Sequence, residues 1–98
     1  MKYSVKFPTA SIEKKFDKAM EDIKDEHLRD EIARKVLALG NDPRPHGVPK
    51  IKPPIPVYNY TAQYRIRIGD HRVLYDVDDR SKTVWVFALR KRNEGTYR

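Results

Sequence analysis

Arg65, Arg67 and Arg72 are the residues in this 98-residue chain whose type and spacing most directly suggest chemistry. They flank Gly69-Asp70, a pair suited to a two-residue hairpin loop. Such a loop predicts a register in which Ile68 faces His71, Arg67 faces Arg72, Ile66 faces Val73, Arg65 faces Leu74 and Tyr64 faces Tyr75. Alternation then turns Tyr64, Ile66, Val73 and Tyr75 toward a core and projects the three guanidiniums together from the other face. Like charges opposed across strands are unfavourable, so the cluster makes most sense with an anion between its members. Splaying of the long side chains into water is the competing reading. Arginine's planar fork matches phosphate oxygens in particular.

Other cations could join this group. Lys50 and Lys52 give a basic edge to a proline-rich stretch, and Arg90, Lys91 and Arg92 follow a hydrophobic run. Tyr97 would add a phenol if the tail folded back over the same face; otherwise it caps the edge of the core. Trp85 and Phe87 read as packing residues rather than stacking platforms. His27, His46 and His71 have no ligand spacing, and Asp78-Asp79 reads as turn chemistry, so no metal site is expected. His71 alternates away from Arg72. There is no P-loop and no glycine-rich dinucleotide fingerprint, so no cofactor is implied.

The elements that must position these residues follow from periodicity. Tyr3, Val5 and Phe7 alternate with polar residues up to Pro8, predicting a short strand. Thr9 can cap a helix whose apolar positions are Ile12, Phe16, Ala19, Met20 and Ile23. Asp25 and Glu26 suit the start of a second helix, with a stripe of Leu28, Ile32, Val36 and Leu39 and a stop at Gly40 or Asn41. The mixed charges of this helical pair read as a solvated face. Residues 41–57 hold six of the seven prolines and predict a stiff connector without helix or central strand, either a spacer or a binding loop. From Tyr58 the period is that of strands: Tyr60 to Ile68, Arg72 to Val77 and Thr83 to Leu89, a three-stranded meander. Residues 90–98 form a basic C-terminal tail. The order β-α-α-β-β-β predicts one small α+β domain over residues 1–98, an antiparallel sheet covered on one face by a helical hairpin.

Composition bounds the function. Lys and Arg number 21 against 14 Asp and Glu, and the excess lies after residue 40: +1 before it and +6 beyond. Eight of the twelve cations in the second part are arginine, which points to a polyanion. Solubility alone is the plainer explanation of a basic chain. The lack of cysteine removes disulfides, cysteine-ligated zinc and thiol catalysis, and suits a reducing compartment, so a cytoplasmic, non-membrane protein is expected. No apolar run is long enough to span a bilayer and the N-terminus carries no signal-like core.

The run Tyr64-Arg-Ile-Arg-Ile-Gly-Asp-His-Arg-Val-Leu-Tyr75 resembles the central hairpin of the RelE/ParE superfamily of toxins from prokaryotic toxin–antitoxin modules. The acidic turn, hydrophobic last strand and basic tail ending in Tyr97-Arg98 extend the likeness; before Tyr64 it rests on the order of elements. The resemblance implies a toxin held inactive by a cognate antitoxin. In the RelE-like branch it implies a metal-independent endoribonuclease that cleaves mRNA in the ribosomal A site by attack of a 2′-hydroxyl on the adjacent phosphate. By the same resemblance Arg65 and Arg72 contact the scissile phosphate and Tyr97 orients or deprotonates the 2′-hydroxyl. Arg67 and Arg92 are further catalytic candidates, and Lys50, Lys52, Arg90 and Lys91 are RNA-binding ones. One bacterial branch has lysine at the positions of Arg65 and Arg67, whereas archaeal-type members have arginine. An arginine cannot act as a base, so the proton must go to Tyr97, another group or the ribosome. The alternatives are a ParE-like gyrase inhibitor that cleaves nothing, or a catalytically inactive nucleic-acid-binding module.

Overall fold

The computed structural model describes residues 2–45 and 50–91. In chain order the elements are β1 (Ser4–Lys6), α1 (Ala10–Glu21), α2 (Glu26–Ala38), β2 (Ile55–Val57), β3 (Tyr60–Ala62), β4 (Tyr64–Ile68), β5 (His71–Asp78) and β6 (Thr83–Lys91). Both helices start where their caps predict. Thr9 Oγ1 accepts from the Ile12 amide at 3.1 Å, and Asp25 Oδ1 accepts from His27 and Leu28 at 2.9 and 3.3 Å.

Four strands form one sheet in the order β1-β6-β5-β4, antiparallel except that β1 runs parallel to β6. The chain between these parallel neighbours runs through the helical pair, the β2–β3 ribbon, β4 and β5, well beyond the dozen residues that a parallel pairing needs. The apolar stripe of the helical pair packs Phe16, Ile23, Ile32, Val36 and Leu39 against Tyr64, Ile66, Val73, Tyr75, Val84, Val86 and Leu89. This is the expected α+β arrangement of a helical hairpin over one sheet face. Gly40 is needed where α2 meets β1: its carbonyl accepts from the Tyr3 amide at 2.7 Å, and a Cβ there would stand 2.9 Å from the Tyr3 carbonyl oxygen. Gly69, at φ +59°, supplies the left-handed first position of the β4–β5 loop.

The structure corrects the expected strands in two places. Tyr60 to Ile68 is not one strand. Ala62 is buried on the far side of the sheet with Val57, Leu74, Phe87 and Ala88, whereas Tyr64 is buried under the helices. Residues two apart in a strand share a face, so alternation breaks at Gln63. There the chain changes partners, from β2 in a two-stranded ribbon to β5 in the main sheet. The described end of the proline-rich stretch forms a ribbon strand, β2, and not a central one, which places Val57 with Leu74, Phe87 and Ala88 in a second small core. Proline tolerates this because the ribbon has open edges. In the second place, β6 continues through Arg90 and Lys91, the start of the expected tail, because both pair with β5.

A bulge in β6 completes the geometry. Leu74 pairs with Ala88 but Tyr75 pairs with Val86, leaving Phe87 as the extra residue. Phe87 and Ala88 thereby both join the second core, and the Phe87 ring stacks on Tyr60 at 5.1 Å. Phe87 and Trp85 pack there as the sequence indicates, Trp85 half-buried at the cluster's edge.

Candidate nucleic-acid interface

The β4–β5 register is the one predicted, with Arg67 opposite Arg72 and Arg65 opposite Leu74. On its other side Arg72 is paired with Arg90. Three arginines therefore form a row across three adjacent strands, on the face turned away from the helices, at inter-strand steps of roughly 4.8 Å. Arg67 is exposed, while Arg65, Arg72 and Arg90 are half-buried. The expected trio of Arg65, Arg67 and Arg72 is thus regrouped: Arg90 completes the row, and Arg65 stands beside it on the next level of β4.

Beside this row lies a cavity of about 660 Å³ between α2, the chain from Asp42 to Pro45, the segment Lys50–Lys52 and β4. Lys50, Lys52, Arg65 and Arg67, all candidates from sequence, line it together with Lys35 of α2; Asp42 is the acid among its lining residues. Five cations around one space create a potential that attracts a polyanion. Among the described residues no group of three His, Cys, Asp or Glu side chains is placed to hold a metal ion. No described helix is long and apolar enough to cross a membrane.

Arg44 fixes the wall of this cavity. Its Nη1 and Nη2 donate to Asp79 Oδ1 and Oδ2 at 3.3 and 2.9 Å, its Nε donates to the Tyr64 hydroxyl at 3.0 Å, and its guanidinium lies 5.1 Å from the Tyr64 ring centre. The Tyr3 hydroxyl donates to the same Asp79 Oδ1 at 2.6 Å. The Tyr64 and Tyr75 rings stack at 5.7 Å, and the Tyr75 hydroxyl donates to the Pro43 carbonyl at 2.7 Å. At the other end, the Ile51 amide donates to Gln63 O at 2.8 Å. The two anchors hold Lys50 and Lys52 next to Arg65 and Arg67.

Electrostatics follow this geometry. Hydrogen bonds from Arg44 and then Tyr3 hold the Asp79 carboxyl below the usual carboxylate range, and the bond to Asp79 pushes the Tyr3 phenol up. Burial pushes the Tyr75 phenol up. Burial also raises the Asp76 carboxyl, opposed by its bond from the Val77 amide and by the charge of Lys50. Asp78 does turn chemistry as expected, accepting from Arg80 and Ser81 amides at 3.0 and 3.2 Å, whereas Asp79 is drawn into the Arg44 network instead. His71 pairs with Ile68, away from the arginine face, and its Nδ1 is buried without a hydrogen-bond partner among the described residues.

Arg92 and Tyr97 lie outside the described residues. Lys91 ends β6 and is exposed. Sequence reasoning missed Lys35 and Arg44. Nothing local marks either one, because each acquires its role only from elements distant in the chain. What the row and the cavity can do together is hold a phosphodiester: forked donors on one side, a basic channel on the other.

The fold is similar to that of solved toxins. The RelE chain of an archaeal RelE–RelB complex from Pyrococcus horikoshii OT3 superposes with a TM-score of 0.68 at 23% identity, covering 97% of this chain and 100% of that one. A free-state mutant of the E. coli toxin RelE gives 0.64 at 18% identity, covering 97% and 88%. A chain of the RelBE2 toxin–antitoxin complex from Mycobacterium tuberculosis gives 0.60 at 18%, covering 94% and 100%. No curated protein matches the chain in sequence. The sequence profile described as "ParE toxin of type II toxin-antitoxin system, parDE" matches residues 9–95. The match takes in both helices, the described arginines and all but the first strand, so the chain belongs to the ParE toxin family of type II toxin–antitoxin systems, within the RelE/ParE superfamily.

Proposed function

We propose that this toxin is a metal-independent endoribonuclease that cleaves mRNA on the ribosome in the cytoplasm and is held inactive by a cognate antitoxin. The observation that carries the reading is the cross-strand row Arg67, Arg72 and Arg90, whose Arg67 lines one cavity together with Arg65, Lys50 and Lys52. In the proposed reaction the ribose 2′-oxygen bonds to the adjacent phosphorus and the bond from phosphorus to the 5′-oxygen breaks. The products are a 2′,3′-cyclic phosphate and a 5′-hydroxyl, the leaving 5′-oxygen taking its proton from water as the 2′-hydroxyl loses one. Negative charge builds on the non-bridging oxygens, and fixed guanidiniums oriented toward it would lower the barrier without reorganising. Arg65 and Arg72 are assigned to that charge, with Arg67 and Arg92 in support. Tyr97 is assigned to the 2′-hydroxyl proton, since arginine cannot accept it. Lys50, Lys52, Arg90 and Lys91 are assigned to the RNA backbone.

The antitoxin assignment is supported by structural neighbours solved as complexes, among them the archaeal RelE–RelB complex and the mycobacterial RelBE2 toxin–antitoxin complex. The deciding experiment is expression of the chain followed by mapping of mRNA ends in a translating extract. Growth arrest with cuts inside translated codons, relieved by Arg72→Ala, is the expected result. Undiminished cleavage by Tyr97→Phe would remove Tyr97 from proton transfer. The matching profile carries the name of ParE toxins, which favours gyrase inhibition as the second reading. Altered DNA supercoiling with intact mRNA would establish that reading in place of cleavage.

A further inference from the structure

Helix α1 separates its charges. Glu13, Asp17 and Glu21 recur every four residues and so share one stripe, while Lys14, Lys15 and Lys18 line a second cavity of about 730 Å³ between α1, the end of β6 and the tip of the β2–β3 ribbon. Arg90 and Tyr58 form its other side. Asp22 is the acid among the lining residues, and it sits 3.9 Å from Lys18. The cleft is therefore strongly cationic, which excludes a basic segment as its occupant and suits a polyanion.

Tyr58 is the residue that narrows the choice. It occupies the first position of the Tyr58-Asn59 loop with φ +57°, a conformation that bulky side chains rarely adopt, and the residue stays 58% exposed. The ring gains little from the core. Lys15 Nζ lies 5.3 Å from the ring centre, so a cation and a π-face are presented together. That pairing is the one that serves unpaired nucleotides: an aromatic platform for a base and ammonium groups for the backbone. Position supports the same occupant. Arg90 both lines this cleft and closes the arginine row, so one cationic path runs from the Lys50–Lys52 cavity across the sheet to α1.

We propose that the cleft between α1 and the end of β6 is a second contact for single-stranded RNA, in which Lys14, Lys18 and Arg90 hold backbone phosphates and Tyr58 stacks one unpaired base. It rests on the reading of RNA as the substrate, and extends the bound RNA beyond the residues assigned to the scissile phosphate.

The test is binding of the full chain to a short fluorescent 2′-O-methyl oligoribonucleotide, which offers no 2′-hydroxyl and so reports binding apart from cleavage. Titrations across a range of salt are compared for wild type, Tyr58→Phe, Tyr58→Ala and the pair Lys14→Ala/Lys18→Ala, each checked for an unchanged circular dichroism spectrum. Tyr58→Phe is expected to bind like wild type. Tyr58→Ala is expected to bind at least about fivefold more weakly at every salt concentration with an unchanged salt slope, the mark of lost stacking. The lysine pair is expected to flatten the salt slope by about 1.4, or about 0.7 for each cation removed. Wild-type affinity and slope in both alanine variants would overturn the proposal. So would equally tight binding of an acidic peptide that depends on the same residues, since the cleft would then serve a protein. Tyr58-dependent binding without any mRNA cleavage in extracts would refute the nuclease reading and keep the cleft, whereas intact cleavage with unaltered binding in the variants would do the reverse.

Discussion

Arg72 stands directly opposite Arg67 on one neighbouring strand and directly opposite Arg90 on the other. A sheet built only for stability would not oppose like charges in this way. Arg67→Thr removes one member at an exposed position and introduces a good strand former. Its expected effect on stability is neutral to favourable, by roughly 0.2–1 kcal/mol, read as an equal or higher denaturant midpoint. Its expected effect on mRNA cleavage is a loss of about 10²-fold or more. A variant that is both less stable and fully active would contradict the assignment.

The Arg44–Asp79 ion pair should make part of the stability acid-sensitive. The Asp79 carboxyl is held low in the folded chain, so its contribution is present above the ordinary carboxylate pKa and is lost as pH falls through its lowered folded value. Arg44→Met should lower the Tm at pH 7. The gap to wild type should narrow as the pH is taken below about 4, where the carboxyl protonates. It should not close, because the bond from Arg44 to the Tyr64 hydroxyl does not depend on Asp79. Thermal melts at a series of pH values measure this directly.

Asp76 should behave with the opposite sign. Burial raises its carboxyl pKa, so the folded state favours the protonated form and stability falls as pH rises through the raised value. Asp76→Asn keeps an acceptor for the Val77 amide, 2.8 Å from Oδ1 in the wild type, and removes the half-buried charge. The variant is expected to melt above wild type at pH 7, with the advantage shrinking toward acid. An advantage that stays constant with pH would trace the change to packing rather than charge.

Gly40→Ala should loosen β1. The new Cβ would meet the Tyr3 carbonyl oxygen at 2.9 Å and the Leu37 carbonyl oxygen at 3.3 Å, both backbone atoms with little room to yield. A cost of about 1–3 kcal/mol is expected, seen as a drop in Tm of about 4 °C or more. Hydrogen exchange at the Tyr3 amide, which donates to Gly40 O, should speed up with it.

What the chain alone makes legible is whatever depends on residues close in sequence. The β4–β5 register followed from the Gly69-Asp70 loop, because two residues leave one way to fold back. Thr9 and Asp25 marked both helix starts because a cap bonds only two or three residues ahead. The excess charge beyond residue 40 was likewise plain from counting, as was its arginine character. Tertiary structure decided the rest, through pairings between distant segments. The alternation through Tyr60, Ala62 and Tyr64 reads as one strand until Gln63 changes partners, and only the second core shows that Ala62 and Tyr64 are on opposite faces. Arg90 entered the row because the bulge at Phe87 restores its register with Arg72, a shift no local pattern records. Arg44 found Asp79 across 35 residues, and Lys35 met the Lys50–Lys52 segment only once α2 lay on the sheet. The sequence by itself determined which charges the chain carries and how its hairpin folds; the packing of remote elements decided which of those charges share one face.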